Sequence, residues 1–168
     1  RPGEIPPWDI SDPMFDYYEA IRDRLVMSYE GDPHKPKIVA VTSCNKGAGT
    51  SRVATGLAAA LSRDVQRHVL YIGLEKSKVA VTSFFKGRPG AGVSGESEDS
   101  AENDEVLPSD LYTLARVGHG PEGASIVQTF CDMIPKLRMS EYDYIIFDLP
   151  PVSETSGALR LASQMERT

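Results

Sequence analysis

The sequence predicts an α/β fold with a mostly parallel sheet flanked by helices. Three short apolar runs, each bounded by glycine, proline or charged residues, have the length and composition of strands that are buried on both faces. These runs are residues 38–41, 68–72 and 144–147. Segments with the apolar spacing of helices separate them, and this alternation is typical of a parallel sheet.

The length of 168 residues is enough for one domain with a hydrophobic core. We expect residues 1–12, which are rich in proline, to form an extended arm, and residues 13–168 to form the domain. No apolar run is long enough to span a membrane. The two cysteines, Cys44 and Cys131, have neither metal-ligand spacing nor a disulfide framework. Their number and spacing indicate a reducing, cytoplasmic setting.

The net charge of −6 argues against nucleic acid as a partner. Six of the 24 acidic residues lie between positions 96 and 105, so acidic and basic residues are balanced elsewhere. This acidic stretch is also rich in glycine and serine. We therefore expect residues 87–108 to form a disordered insertion.

The first helix is predicted over residues 13–29, because Asp12 can cap it and Pro13 suits its first turn. Its predicted apolar face consists of Met14, Tyr18, Ile21 and Leu25. Glu19 and Arg22 are expected on the exposed face as an i,i+3 ion pair.

The sequence patterns of several later elements are weaker. A weak strand is predicted at 111–114, a helix at about 124–139 and a last helix at 157–165. Pro135 is expected to kink or shorten the middle helix. Residues 79–85 fit neither period clearly.

The strand at 38–41 runs into a glycine-rich turn and then an alanine-rich helix, the order in which proteins hold a phosphate group. Residues 44–51 align with the pattern G-x-x-x-x-G-K-[ST]. Glycine permits the turn that directs backbone N–H groups at an anion, and Ser51 stands where a hydroxyl would hold Mg²⁺. The candidate phosphate-binding residues are Lys46, Gly47, Ala48, Gly49, Thr50 and Ser51.

Thr50 occupies the place of the lysine in this pattern. A neutral hydrogen bond contributes about 1 kcal/mol where a charged one contributes roughly 1.5–3, so we expect nucleotide binding weakened by about tenfold. Lys46 is the next candidate for the missing charge, although it precedes the turn. The alternative is a glycine turn that binds no ligand.

Asp148 ends the strand at 144–147, at the carboxyl edge of the predicted sheet, where open α/β folds bind ligands. There it is suited to hold Mg²⁺. The alternative is a carboxylate that merely caps the strand end. The second predicted strand ends in the stretch VLYIGLEKSK, which contains Gly73 and Glu75.

The stretches YDYIIFDLPPV, FKGRP and HKPKIVAVTSCNKGAGTS resemble the P-loop ATPase domain, of the MinD/ParA type, of bacterial tyrosine autokinases. The same domain forms the cytoplasmic part of polysaccharide co-polymerases, the chain-length determinants of exopolysaccharide export. The resemblance spans about residues 15–165 and is nearest to a rhizobial-type branch whose loop lacks the lysine. It implies ATP or ADP with Mg²⁺ as cofactors, bound weakly or not at all.

The resemblance also implies roles for single residues. Gly47, Gly49 and Ser51 match the phosphate loop, and Asp148 matches a metal-binding aspartate. Glu75 matches the second acid of a D-x-D motif, whereas Gly73 replaces the first acid and Thr50 replaces the lysine. Two charges that phosphoryl transfer uses are therefore missing.

A subunit-packing motif of the family, E-x-x-R-x-x-R, is matched at Glu19 and Arg22. Its third position is Leu25, with Arg24 one place off. The resemblance thus implies a homo-oligomer with other polysaccharide export proteins as partners. It implies a place at the cytoplasmic face of the bacterial inner membrane, reached through segments outside this chain. A further strand is expected beyond residue 165, whereas the tyrosine-rich tail of the family is not seen in this sequence and its presence stays open.

The resemblance leads to two predicted functions: a regulatory or assembly domain of an exopolysaccharide co-polymerase with a degenerate nucleotide site, or an active tyrosine autokinase. A partition-type ATPase ranks below both, because Asn45 occupies the place of the lysine that it needs early in the loop.

Overall fold

The computed structural model describes residues 5–64, 66–73, 88–89, 111–114 and 134–153, and these form an α/β fold. The elements are α1 (Phe15–Ser28), β1 (Lys37–Val41), α2 (Thr50–Ser62), β2 (Val69–Gly73), β3 (Arg88–Pro89), β4 (Leu111–Leu114) and β5 (Tyr144–Asp148). Within the described residues, the strands form one parallel sheet in the order β1-β5-β2-β4-β3. The predicted fold class is confirmed.

All four predicted strands are present, with ends that differ by at most one residue. Residues 134–138 are helical and include Pro135. Most of the predicted helix at 124–139, all of that at 157–165, and residues 79–85 lie outside the described residues. Arg88 and Pro89, at the start of the predicted disordered insertion, instead form β3 beside β4.

β5 is central to the predicted phosphate and metal site because it lies between β1 and β2. Its last residue, Asp148, pairs in register with Val41 on one side and Gly73 on the other. The ends of these three strands therefore meet at one edge of the sheet. This edge is where the parallel strands present their carboxyl ends.

The core lies between one face of the sheet and the two helices. Alternate strand positions supply Val39, Val69, Tyr71, Tyr144 and Ile146, and α2 supplies Ala54, Leu57, Ala58, Ala59 and Leu61. Successive strand side chains point to opposite faces, which explains the alternation. The small residues of α2 allow the helix to lie close to the sheet.

The described part of the arm, residues 5–12, is not extended, contrary to expectation. Two successive turns fold it, with hydrogen bonds from Asp9 N to Pro6 O and from Asp12 N to Asp9 O, both 3.0 Å. Asp12 is buried, and its Oδ1 accepts the N–H of Met14 at 2.7 Å just before α1 begins. The predicted capping role of Asp12 is wrong, because α1 begins two residues later, with Met14 at its N-cap and no side chain capping it. Asp12 instead holds the turn that precedes the helix.

Two of the four residues predicted for the apolar face of α1 pack on the core, and the other two are exposed. Tyr18 is buried and Leu25 packs on the core, but Met14 and Ile21 are 39% and 40% exposed. No helix of the described part of the chain is both long and apolar enough to cross a membrane.

Candidate functional site

A cavity of about 250 Å³ opens at the carboxyl edge of the sheet, between the glycine-rich loop and the end of β5. Its lining includes all six predicted phosphate-binding residues, together with Asp148. The remaining lining residues are Arg52, Leu149, Pro150 and Pro151. Residues that are about 100 positions apart in the sequence therefore share one cavity.

The backbone of the loop has the conformation that an anion site requires. Gly47 and Gly49 have φ angles of 78° and 80°, in the left-handed region that glycine adopts without strain. Gly49 directly precedes α2, and no side chain caps that end of the helix. The first-turn N–H groups and the helix dipole are therefore available to an anion.

Two hydrogen bonds hold this loop against the segment after β5. Thr42 Oγ1 donates to Pro150 O at 3.0 Å, and Val152 N donates to Ser43 O at 2.9 Å. The two segments that line the cavity are thus fixed relative to each other. This connection places Asp148 at the mouth of the phosphate loop.

Asp148 is 2% exposed, and Tyr71 lies beside it. The hydroxyl of Tyr71 donates a hydrogen bond to Asp148 Oδ2 at 2.9 Å. Sequence reasoning missed Tyr71. The available signal was a tyrosine among aliphatic residues, two positions before Gly73.

The two replaced positions fall at the same site. Thr50 is the first residue of α2 and lines the cavity, and Gly73 is the register partner of Asp148. Lys46 also lines the cavity, so its position is compatible with the supporting role considered for it. Glu75 lies outside the described residues.

The donor set fits Mg²⁺. The Ser51 hydroxyl and the Asp148 carboxylate are hard oxygen ligands that line one cavity next to the anion-binding turn. Within the residues that the structure describes, no group of three or more His, Cys, Asp or Glu side chains gathers as a metal site. This arrangement suits an ion that takes one carboxylate and completes its shell with phosphate and water.

Arg52 is a second residue that sequence reasoning missed. It lies in the first turn of α2 and lines the cavity, yet its guanidinium is paired with the buried carboxylate of Asp12. Its Nη2 also donates to Ile5 O at 3.0 Å. Arg52 therefore ties the arm to the start of the helix that carries the phosphate loop.

The three predicted oligomerisation residues lie on α1. Arg22 Nη1 is 2.7 Å from Glu19 Oε1, and Arg63 Nη1 reaches the same oxygen at 3.5 Å. Glu19 and Arg22 are partly buried rather than fully exposed as predicted, because Arg63 at the end of α2 packs beside them. Arg24 is exposed.

Comparison with known proteins finds related sequences, although no family model matches. Tyrosine-protein kinase CpsD of Streptococcus pneumoniae serotype 4 is 28% identical over 143 residues, which are 82% of this chain and 61% of CpsD. Tyrosine-protein kinase CpsD of Streptococcus agalactiae is 27% identical over 154 residues, 88% of this chain and 65% of that protein. The chain thus spans less than two thirds of the relatives that it matches.

Two solved structures share the fold. The VpsO kinase domain superposes with a TM-score of 0.57 at 20% identity, over 90% of this chain and 77% of that one. The chimerical protein CapA2B2 superposes with a TM-score of 0.61 at 20% identity, over 91% of this chain and 68% of that one. These superpositions define the class of this chain as an α/β domain of the same fold. Within that class, the resemblance to the bacterial tyrosine autokinases is confirmed.

Proposed function

We propose that this domain is the cytoplasmic regulatory or assembly domain of an exopolysaccharide co-polymerase, with a kinase-like but degenerate nucleotide site. The observation that carries the proposal is the position of Gly73. It is the register neighbour of Asp148, so the residue that replaces the first family acid lies directly beside the candidate metal ligand. Thr50, which lines the cavity together with Asp148, removes a second charge that the family places there.

The remaining groups favour binding over catalysis. The N–H groups of the glycine loop, the start of α2 and the Ser51 and Asp148 oxygens suffice for a weak complex with ATP or ADP and Mg²⁺. Phosphoryl transfer depends on positioned charge, and loss of one preorganised donor lowers rates by about 10²–10³. The domain would then act at the inner membrane by binding other proteins. Its partners would be further copies of itself and polysaccharide export proteins.

The test is phosphate release and autophosphorylation with Mg-ATP, with Asp148→Asn as the matched control. We expect the wild-type protein and Asp148→Asn to give the same background rate. Turnover that Asp148→Asn abolishes would contradict a degenerate site. Calorimetry with ADP and Mg²⁺ should likewise show weak binding or none, and submicromolar affinity would count against the proposal.

Restoring the two family residues provides the positive control. The double variant Thr50→Lys/Gly73→Asp should bind ADP with Mg²⁺ at least tenfold more tightly than wild type, because a charged donor replaces a neutral one. Unchanged affinity would mean that the cavity does not accept a nucleotide.

An active tyrosine autokinase is the second candidate, because Lys46, a basic residue, lines the cavity. In that case Lys46→Ala should abolish the autophosphorylation that wild type shows. Autophosphorylation that persists in Lys46→Ala would exclude Lys46 as the source of the missing charge.

A further inference from the structure

Tyr71 and Gly73 lie two positions apart on β2, so they face the same side of the sheet. Two residues of a strand span about 6.6 Å, which is close to the reach of a tyrosine hydroxyl. Tyr71 pairs in register with Ile146, and Gly73 pairs with Asp148. Tyr71 is thus a diagonal neighbour of Asp148 on the adjacent strand, and its hydroxyl donates to Asp148 Oδ2 at 2.9 Å.

The absence of a side chain at Gly73 matters for this contact. A carboxylate at position 73 would lie beside Asp148 on the adjacent strand, and like charges in such positions repel. With glycine there, the neighbour of Asp148 on this side is a neutral donor. Both Tyr71 and Asp148 are at least 98% buried, so the hydrogen bond is shielded from water.

We propose that Tyr71 is a positioning residue of the candidate metal site, and that it holds the Asp148 carboxylate in one orientation toward the cavity. This inference rests on the proposed function in one respect, namely that the site retains cation binding. Hydrogen-bond partners of metal-binding carboxylates typically contribute 10–100-fold to metal affinity.

The experiment measures Mn²⁺ binding by electron paramagnetic resonance, with Mn²⁺ as a probe in place of Mg²⁺. Tyr71→Phe removes only the hydroxyl, and we expect it to weaken Mn²⁺ binding by about tenfold or more. Tyr144→Phe is the matched control, because Tyr144 belongs to the same core but lies at the opposite end of β5. Its affinity should stay within about twofold of wild type.

Equal or tighter Mn²⁺ binding by Tyr71→Phe would overturn the inference. Failure of the wild-type protein to bind millimolar Mn²⁺ would overturn it too, while leaving the proposed regulatory function intact, since that function does not require a bound metal. Turnover abolished by Asp148→Asn would instead overturn the proposed function and leave the positioning role standing.

A second measurement keeps the hydroxyl and so avoids any loss of folding. 3-Fluorotyrosine is introduced at position 71 or at position 144, and the ¹⁹F signal is followed during Mn²⁺ addition. The signal from position 71 should broaden first, because paramagnetic broadening falls steeply with distance. Equal broadening at both positions would place the cation away from Asp148 and refute the inference.

Discussion

At the scale of single residues, Asp143 joins the amino ends of β1, β2 and β5. Its carboxylate accepts the N–H of His68 at 2.8 Å and pairs with the Lys35 ammonium, and its carbonyl accepts the N–H of Lys37 at 2.8 Å. Burial alone would raise the pKa of Asp143. The Lys35 ammonium and the His68 amide outweigh burial, so the pKa lies below its ordinary value.

The first prediction concerns Asp143→Asn. Because hydrogen bonds to charged groups contribute about 1.5–3 kcal/mol, we expect this variant to lose about 2 kcal/mol of unfolding free energy at pH 7. A carboxyl whose pKa is lowered on folding stabilises the protein above its unfolded pKa of about 3.9 and loses this effect as pH falls through the native pKa. The difference from wild type should therefore shrink between about pH 5 and pH 3, as measured by urea unfolding.

Asp64→Asn is the control for this experiment. Asp64 pairs with Arg67 at 3.2 Å, but its side chain is 44% exposed. Exposed pairs of this kind contribute about 0–1 kcal/mol, so the control should change stability little at either pH. A deficit of Asp143→Asn that is the same at pH 7 and pH 3 would show that the charge of Asp143 is not what stabilises the fold.

At the scale of elements, the contact of α1 with α2 depends on one missing side chain. A Cβ built on Gly56 would lie 2.5 Å from two ring atoms of Tyr18 and 2.6 Å from a third. Tyr18 is 1% exposed, so its ring has no free space into which to move. Gly56 is therefore what allows the two helices to pack this closely.

The second prediction is that Gly56→Ala destabilises the protein by up to about 2 kcal/mol. Overpacking typically costs about 1–3 kcal/mol, and the gain in helix propensity of about 1 kcal/mol offsets only part of it. In a Tyr18→Leu background the ring is gone, so the same substitution should stabilise by up to about 1 kcal/mol. Chemical denaturation of the four proteins measures both effects. A loss of equal size in both backgrounds would exclude the ring as its cause.

At the scale of the whole molecule, two arginines at opposite ends of α2 hold the arm in place. Arg52, in the first turn of α2, binds Ile5 O and Asp12. Arg63 directly follows the last turn of α2, and its Nη2 donates to Trp8 O at 2.8 Å. The guanidinium of Arg63 also lies 4.1 Å from the centre of the Phe15 ring. The arm is thereby linked to the helix that begins at the phosphate loop.

The third prediction uses Trp8, the single tryptophan of the chain, as a reporter of arm docking. Arg63→Gln should shift Trp8 emission to longer wavelength and raise its quenching by acrylamide, because the partly buried indole becomes more accessible to water. Far-UV circular dichroism should stay unchanged. Arg24→Gln, an exposed position on α1, is the control. Unchanged quenching in Arg63→Gln would mean that Arg63 does not hold the arm.

Much of this architecture was readable from local patterns. The apolar runs predicted the strands at 38–41, 68–72, 111–114 and 144–147, and the glycine-rich turn was predicted where Gly47 and Gly49 adopt positive φ angles. Asp148 was placed correctly at the carboxyl edge of the sheet, because any residue that ends a parallel strand lies there. These predictions succeed because periodicity and turn chemistry act over a few residues.

Tertiary structure alone decided which distant groups meet. Tyr71 and Asp148 are 77 positions apart, and Arg52 and Asp12 are 40 apart. The first contact exists only because β5 inserts beside β2 in one register, and the second only because the arm folds into turns over α2. The sequence by itself therefore determined the elements and the phosphate loop. The pairing of Tyr71 with Asp148 was set by strand order and helix packing, since both bring together groups that no local pattern relates.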